Sequence, residues 1–189
     1  MDPTLHDATL YFAHDTAVVD PGARIGAGTR VWHHSHVRDG AVVGRDCTLG
    51  KNVYVDVGAR IGDRVKVQNN VSVYDGVVVE DDVFVGPSAV FTNDRYPRAS
   101  GDWELVPTTV RRGASIGANA TIVCGVELGA WSVVGAGSVV TRSVADHAIV
   151  VGNPAHQIGW ACECGRVVAR TDAPPPGFRC DVCRSREAT

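Results

Sequence analysis

Large apolar side chains recur at every sixth residue over much of this chain: Val19, Ile25, Val31, Val37, Val43, Leu49, Val55, Ile61, Val67, Val73, Val79, Val85 and Phe91. An unbroken run of this length does not arise by chance, and the rest of the hexad agrees with it. Three residues further on stand Gly22, Gly28, Gly40, Asp46, Asn52, Gly58, Asn70, Gly76 and Asp82, residue types that tolerate the left-handed backbone of a tight corner. The next position is small or β-branched, as at Ala23, Thr29, Ser35, Ala41, Cys47, Val53, Ala59, Val65 and Val71. Each hexad therefore reads as a short strand and a corner, with one large side chain pointing inward and a smaller one filling beside it.

A period of six fits neither an amphipathic helix nor a long strand, whose buried positions recur at 3.6 and 2. It fits a parallel β-helix, in which three short strands make a coil and coils stack at about 4.8 Å. The pattern stops after Phe91 and returns at Ile116, Ile122, Leu128, Val134 and Val140. The offset is not a multiple of six, so residues 92–112 are expected to leave the coil as an insertion. Three hexads per coil predict about six coils, roughly 29 Å in length.

Composition narrows the function. Of 189 residues, 44% are hydrophobic and 21% charged, with a formal net charge of -3. Lys and Arg number 18 against 21 Asp and Glu, so nothing marks nucleic acid or an anionic membrane as a partner. The start, Met1-Asp2-Pro3-Thr4-Leu5-His6, has no basic and apolar leader pattern, and no apolar run approaches a membrane span. The expected compartment is the cytoplasm, where the 6 cysteines are better read as thiols or metal ligands than as disulfides.

The hexads resemble the left-handed parallel β-helix of the bacterial hexapeptide acyltransferases. That resemblance supplies the handedness and implies a homotrimer with ligand sites between subunits. Further segments sharpen it: Lys66-Val67-Gln68-Asn69-Asn70-Val71-Ser72-Val73-Tyr74-Asp75, Gly86-Pro87-Ser88, Val90-Phe91-Thr92-Asn93, Pro97-Arg98 and the run from Gly117 to Gly125. With Val31-Trp32-His33 and Gln157-Ile158-Gly159-Trp160, these are similar to the nucleotide-sugar 3-N-acetyltransferases over about residues 14–160. The resemblance implies transfer of acetyl from acetyl-CoA to a 3-amino group of a UDP- or dTDP-linked sugar, for lipopolysaccharide, O-antigen or other surface glycoconjugates. UDP-2-acetamido-3-amino-2,3-dideoxyglucuronate is the preferred substrate and a dTDP-3-amino-3,6-dideoxyhexose the alternative.

Such chemistry needs a neutral amine, a thioester carbonyl held within about 3 to 3.5 Å, and donors for the developing oxyanion. Asn93 stands where the coil gives way to the insertion and matches the family's active-site Asn. An amide is no strong base, but it can accept from an amine and donate to an oxygen, which orients the nucleophile. A turn-forming Asn is the plainer alternative. His33 also matches the family and is expected to contact the nucleotide sugar, whereas His34 at a corner and His36 at a hexad end also suit a solvated surface. Gln68, Asn69, Asn70 and Tyr74 suit either a pyrimidine and its ribose or an amide ladder along the coils. Arg98 suits a sugar carboxylate or pyrophosphate, or plain solvation. By the superfamily resemblance, small Ala118 and Ala136 leave room for pantetheine. Thr141, Arg142, Asn153 and Pro154 would lie near the adenosine end, with Arg142 or His156 at a phosphate.

After Trp160 the pattern changes. Cys162 and Cys164 are followed, after fifteen intervening residues, by Cys180 and Cys183. Two close thiol pairs at this spacing suit a small zinc ribbon, although the first pair is C-x-C. Residues 1–160 thus read as the β-helix and 161–189 as a Cys-rich tail holding structural zinc. Cys47 and Cys124 lie on the coils and do not read as nucleophiles. A reading from another class is a β-helical zinc protein, structural or like the hexapeptide-type carbonic anhydrases, which draw their histidines from separate coils and a neighbouring subunit.

Overall fold

The computed structural model describes residues 10–187 and resolves each hexad into a strand of two or three residues and a corner. The second residue of each short strand turns inward. Val31, Leu49, Val67, Val85 and Ile116 are buried, while the residues before them, Arg30, Thr48, Lys66, Phe84 and Ser115, face outward. This is the two-residue period of a β-strand cut to its minimum. Strands three hexads apart pair in parallel, so that Val31 lies beside Leu49, Leu49 beside Val67 and Val67 beside Val85. Over the uninterrupted coils, residues 18 apart are therefore stacked.

The result is a three-faced solenoid. Sheet A begins at Phe12–Ala13 and its parallel part ends at Ala148–Val151; sheet B runs from Val18–Val19 to Val139–Val140; sheet C runs from Arg24–Ile25 to Glu127–Leu128. The chain visits them in the order A, B, C. Inward Val, Ile and Leu from all three, with Phe91, form one continuous core. Every corner from 28 to 88 has a positive φ at a six-residue spacing, and the series resumes from 113 to 137. Gly22, expected at such a corner, is not among the positive-φ residues, whereas His34, Arg64 and Trp131 are.

Two sequence expectations need correction. The coil resumes at Thr108–Val110, which pairs with Val77–Val79, so the excursion is shorter than residues 92–112. Val110 lies one hexad before Ile116 and is fully buried, but its isolation from the earlier series hid it. Sheet A also has eight parallel rungs rather than the expected six coils, because hexads at both ends lie beyond the clearest part of the pattern. At about 4.8 Å per rung this gives about 38 Å.

At its far end, sheet A turns antiparallel. Ala148–Val151 pairs with His156–Ala161, which pairs with Val167–Ala169, and a helix, Asp181–Glu187, follows. The 160/161 boundary thus falls within a strand, so the tail begins as a continuation of the sheet. Among the described residues no helix is long and apolar enough to cross a membrane. The expectation drawn from Met1–His6 concerns residues outside those described.

Candidate active site

The A–B corner stacks coil upon coil. Trp32 and His33 leave one rung, Gly50 and Lys51 the next, and Gln68 and Asn69 the one after; with Thr48 they line a cleft of about 330 Å³. His33 stacks on His14 with centroids 3.6 Å apart and lies nearly parallel to Trp32. Partial desolvation, followed by the nearby His14, His34 and Lys51 charges, holds the His33 imidazole below its ordinary pKa. His33 is therefore biased toward its neutral form, suited to stacking and hydrogen bonding.

The amides at this corner also have structural work. Asn69 Oδ1 accepts from the Lys51 backbone N–H at 2.9 Å, as Asp63 does from Arg45 and Asp81 from Asp63. Asn52 Nδ2 donates to Asn70 Oδ1 at 3.0 Å, and Asn70 occupies a corner with φ of 62°. The ladder reading thus accounts for Asn70, while Asn69 both caps a rung and lines the cleft. Asn70 and Tyr74 border a shallow depression across sheet B with Ser72, Ala89, Val90 and Phe91. Further along the same corner come Ala118 and Ala136, whose backbones stack closely: the Gly137 N–H donates to the Ala118 carbonyl at 2.8 Å.

The opposite edge of sheet B, the B–C corner, carries Tyr74, Asp75 and Asn93. Asn93 Nδ2 donates weakly to the Asp75 carbonyl at 3.4 Å, while its own carbonyl accepts from Val106 N–H at 2.9 Å. That bond and the Asp94–Leu105 bridge close the neck of the excursion. Arg95 ties the loop to the Cys124 carbonyl at 3.1 Å. Gly76, at φ of 81°, lies against Leu105, and an added Cβ would come within 2.8 Å of Leu105 Cδ1. Asn93 is thus held at a braced junction. Arg98 is exposed and donates to the Pro97 carbonyl at 2.7 Å. Tyr96 and Trp103 on the same loop are 74% and 58% exposed, apolar surface that no sequence period marks.

Apart from the depression that Asn70 and Tyr74 share, these two sets lie on opposite edges within one chain. His33, Gln68, Asn69, Ala118 and Ala136 lie along one edge of sheet B, and Tyr74, Asn93 and the excursion along the other. Thr141, Arg142 and Pro154 meet in a small pocket with Ala155 and His156; Asn153 precedes Pro154 through a cis bond. Cys162, Cys164, Cys180 and Cys183 converge in the tail. Cys47 and Cys124 are buried in the coils. His36 bonds Asp20 at 3.0 Å, which gives it a local partner. Among the described residues, the four tail cysteines form the one group of metal-ligating side chains whose ligand atoms converge within one chain; His33, His34 and His36 do not form such a group. Trp32, Thr48, Gly50 and Lys51 also line the cleft without being candidate site residues in the sequence; the signal for Lys51 is two 18-residue steps, from His33 to Lys51 and on to Asn69.

Comparison with known proteins bears on this geometry. The model for the bacterial transferase hexapeptide, six repeats, matches residues 15–56, 58–93 and 107–142. The dTDP-3-amino-3,6-dideoxy-alpha-D-galactopyranose 3-N-acetyltransferase of Aneurinibacillus thermoaerophilus is 54% identical over 57 residues, 30% of each chain. Serine acetyltransferase 4 of Arabidopsis thaliana is 34% identical over 145 residues, 77% of this chain and 30% of that protein. The matches therefore span under a third of these relatives' own lengths. A hexapeptide-repeat acetyltransferase of Vibrio cholerae O1 biovar eltor, solved with acetyl coenzyme A, superposes with a TM-score of 0.58 at 27% identity, covering 64% of this chain and 70% of that one. A variant of the GDP-perosamine N-acetyl transferase of Caulobacter crescentus, solved with CoA and GDP-perosamine, gives 0.55 at 23% identity over 79% of this chain and 58% of that one, a likeness of fold.

Proposed function

Because the chain belongs to the bacterial hexapeptide-repeat transferase family, we propose that it is an acetyl-CoA-dependent N-acetyltransferase acting on the 3-amino group of a nucleotide-linked sugar. The observation that carries this reading is the 54% identity to a 3-N-acetyltransferase, taken with an Asn braced at the neck of an excursion. The relative's dTDP-linked substrate puts a dTDP-3-amino-3,6-dideoxyhexose level with UDP-2-acetamido-3-amino-2,3-dideoxyglucuronate, and an exposed Arg98 does not separate them.

In this reading the cleft at Trp32, His33, Lys51, Gln68 and Asn69 holds the nucleotide end of the sugar. Lys51 faces its phosphates and the aromatic rings face its base. The Asn93 amide orients the amine toward the thioester carbonyl. The amine nitrogen bonds to that carbon, the carbon–sulfur bond breaks, and the proton finally goes to the departing CoA sulfur. Most of the acceleration would come from positioning. The small corner residues Ala118 and Ala136 leave room for pantetheine, and the Thr141, Arg142, Pro154 and His156 pocket would receive the adenosine end.

Since the two edges of sheet B separate these groups in one chain, the site is completed by a neighbouring copy in a homotrimer. The B–C corner of one copy then meets the A–B corner of the next. The excursion, with Tyr96 and Trp103 exposed, has the reach and the apolar surface for that contact.

The test is thiol release from acetyl-CoA with a panel of UDP- and dTDP-linked 3-amino sugars, with 3-hydroxy analogues as controls. Release with one amino sugar alone establishes the reaction and chooses the nucleotide. Silence across the panel from folded protein would refute the reading.

A further inference from the structure

We propose that Cys162, Cys164, Cys180 and Cys183 form a closed four-thiolate zinc site that staples the C-terminal segment over the last rung of the solenoid. The two cysteine pairs come from different local structures. Cys162 and Cys164 lie on the turn joining His156–Ala161 to Val167–Ala169. The Cys162 N–H donates to the Arg166 carbonyl and the Gly165 N–H to the Cys162 carbonyl, both at 2.8 Å. Gly165 turns the chain there with φ of 82°. Cys180 precedes the helix Asp181–Glu187 and its carbonyl accepts from Arg184 N–H at 3.0 Å, which leaves Cys183 in the first turn.

All four sulfurs lie within 4.8 Å of one another, and the Cys164 and Cys180 sulfurs are 3.6 Å apart. A tetrahedron with zinc–sulfur bonds of about 2.3 Å has edges of about 3.8 Å. A disulfide needs about 2.05 Å, and all six cysteines are unbridged. The sulfur spacing suits a four-thiolate metal site rather than disulfides, and four soft thiolates select a structural zinc ion over a hard cation.

The fold gives this ion a task. An open solenoid end presents unpaired strand edge, a template for unwanted pairing. Here the edge of Ala148–Val151 is covered by antiparallel His156–Ala161 and then Val167–Ala169. The residues beyond Cys162 contribute few buried side chains of their own, Cys180 being one, and so small a unit needs a staple. Phe178, two residues before Cys180, stacks on His147 with centroids 4.1 Å apart and planes within 2°, and packs at 5.8 Å from Trp160. His147 is a corner residue of the last coil, and its backbone N–H and carbonyl engage Ala130 and Ala161. The ion-paired Glu163 and Arg179 stand beside opposite cysteine pairs. Fixing Cys180 to the hairpin thus fixes Phe178 on the coil.

The test is the metal content of the full chain, purified without chelator from zinc-supplemented cells, by plasma mass spectrometry and native mass. The expected result is about one zinc per chain, with the four tail thiols unreactive until the metal is removed. Cobalt exchange should give the ligand-field spectrum of a tetrahedral thiolate site. Cys164→Ser and Cys183→Ser should each weaken zinc retention against a competing chelator by at least about tenfold. Zinc removal should also change Trp160 emission as Phe178 leaves it. Wild-type chain that carries no zinc, contains iron instead, or has a mass reporting tail disulfides would overturn the assignment even if a serine variant failed to fold. None of these readouts depends on acetyl transfer.

Discussion

The two edges of sheet B are built from the same hexads and differ in one respect. Along the A–B corner the register persists from His33 through Lys51 and Asn69 to Ala118 and Ala136, so side chains form an uninterrupted column. Along the B–C corner the column stops at Asn93, where the chain leaves as an excursion and re-enters at Thr108–Val110. A continuous corner makes a groove, suited to holding long ligands. An interrupted one makes a fixed point with a projecting arm, suited to placing one reacting group and reaching a neighbour. In the proposed function the first binds the ligands and the second orients the amine.

The largest effect should come from a change that removes the distinction. Phe91 is 1% exposed in the core just before Asn93, and Phe91→Ala should cost about 3–5 kcal/mol in denaturant unfolding. Both corners should fail in one transition; separate transitions would show that the excursion is not seated by this rung.

Next comes the division of labour. Asn93→Ala should lower kcat/KM at least about tenfold, about 1.4 kcal/mol of transition-state stabilisation, chiefly through kcat. His33→Ala should raise KM and leave kcat nearly unchanged. An unchanged kcat/KM in the first, or a loss confined to kcat in the second, would reverse the roles given to the two edges. Gly76→Ala probes the brace under Asn93. At φ of 81° and against Leu105, it should cost about 1 kcal/mol of stability and loosen the neck. A neutral outcome would remove Gly76 from the support of the site.

The smallest effect concerns charge. Desolvation and then neighbouring charges keep His33 below the ordinary 6.5, so the unfolded chain binds more protons between the folded and unfolded values. Stability should then rise with pH across that window and begin to fall as pH drops below 6.5. A ring titration by NMR with its midpoint at or above 6.5 would contradict the stacked, partly desolvated setting.

The same contrast explains what the sequence revealed. Inward positions from Val19 to Phe91 were legible because burial repeats with the period of the fold, and corners such as Asn52 and Asn70 because left-handed backbone restricts residue choice. Arg64 and Trp131 take that backbone without being favoured types, since stacking of neighbouring coils overrides local preference. The excursion follows no period, so its return at Val110 and the exposure of Tyr96 and Trp103 were not legible. Pairing at 18 residues would have placed Lys51 between His33 and Asn69. The tail was legible through its thiol spacing, whereas the contact of Phe178 with His147 depends on how the last coil is covered.

The most direct test of a site shared between the two corners is complementation between copies. A chain carrying Asn93→Ala and a second carrying His33→Ala with Asn69→Ala each lack one corner's contribution. If the corners meet across copies, co-expressing the two in equal amounts should restore, at substrate well below KM, about one quarter of wild-type acetyl transfer, the share of sites with both corners intact under random mixing. If mixed assemblies form and activity stays at the level of the separate variants, the site lies within one chain and the account is wrong.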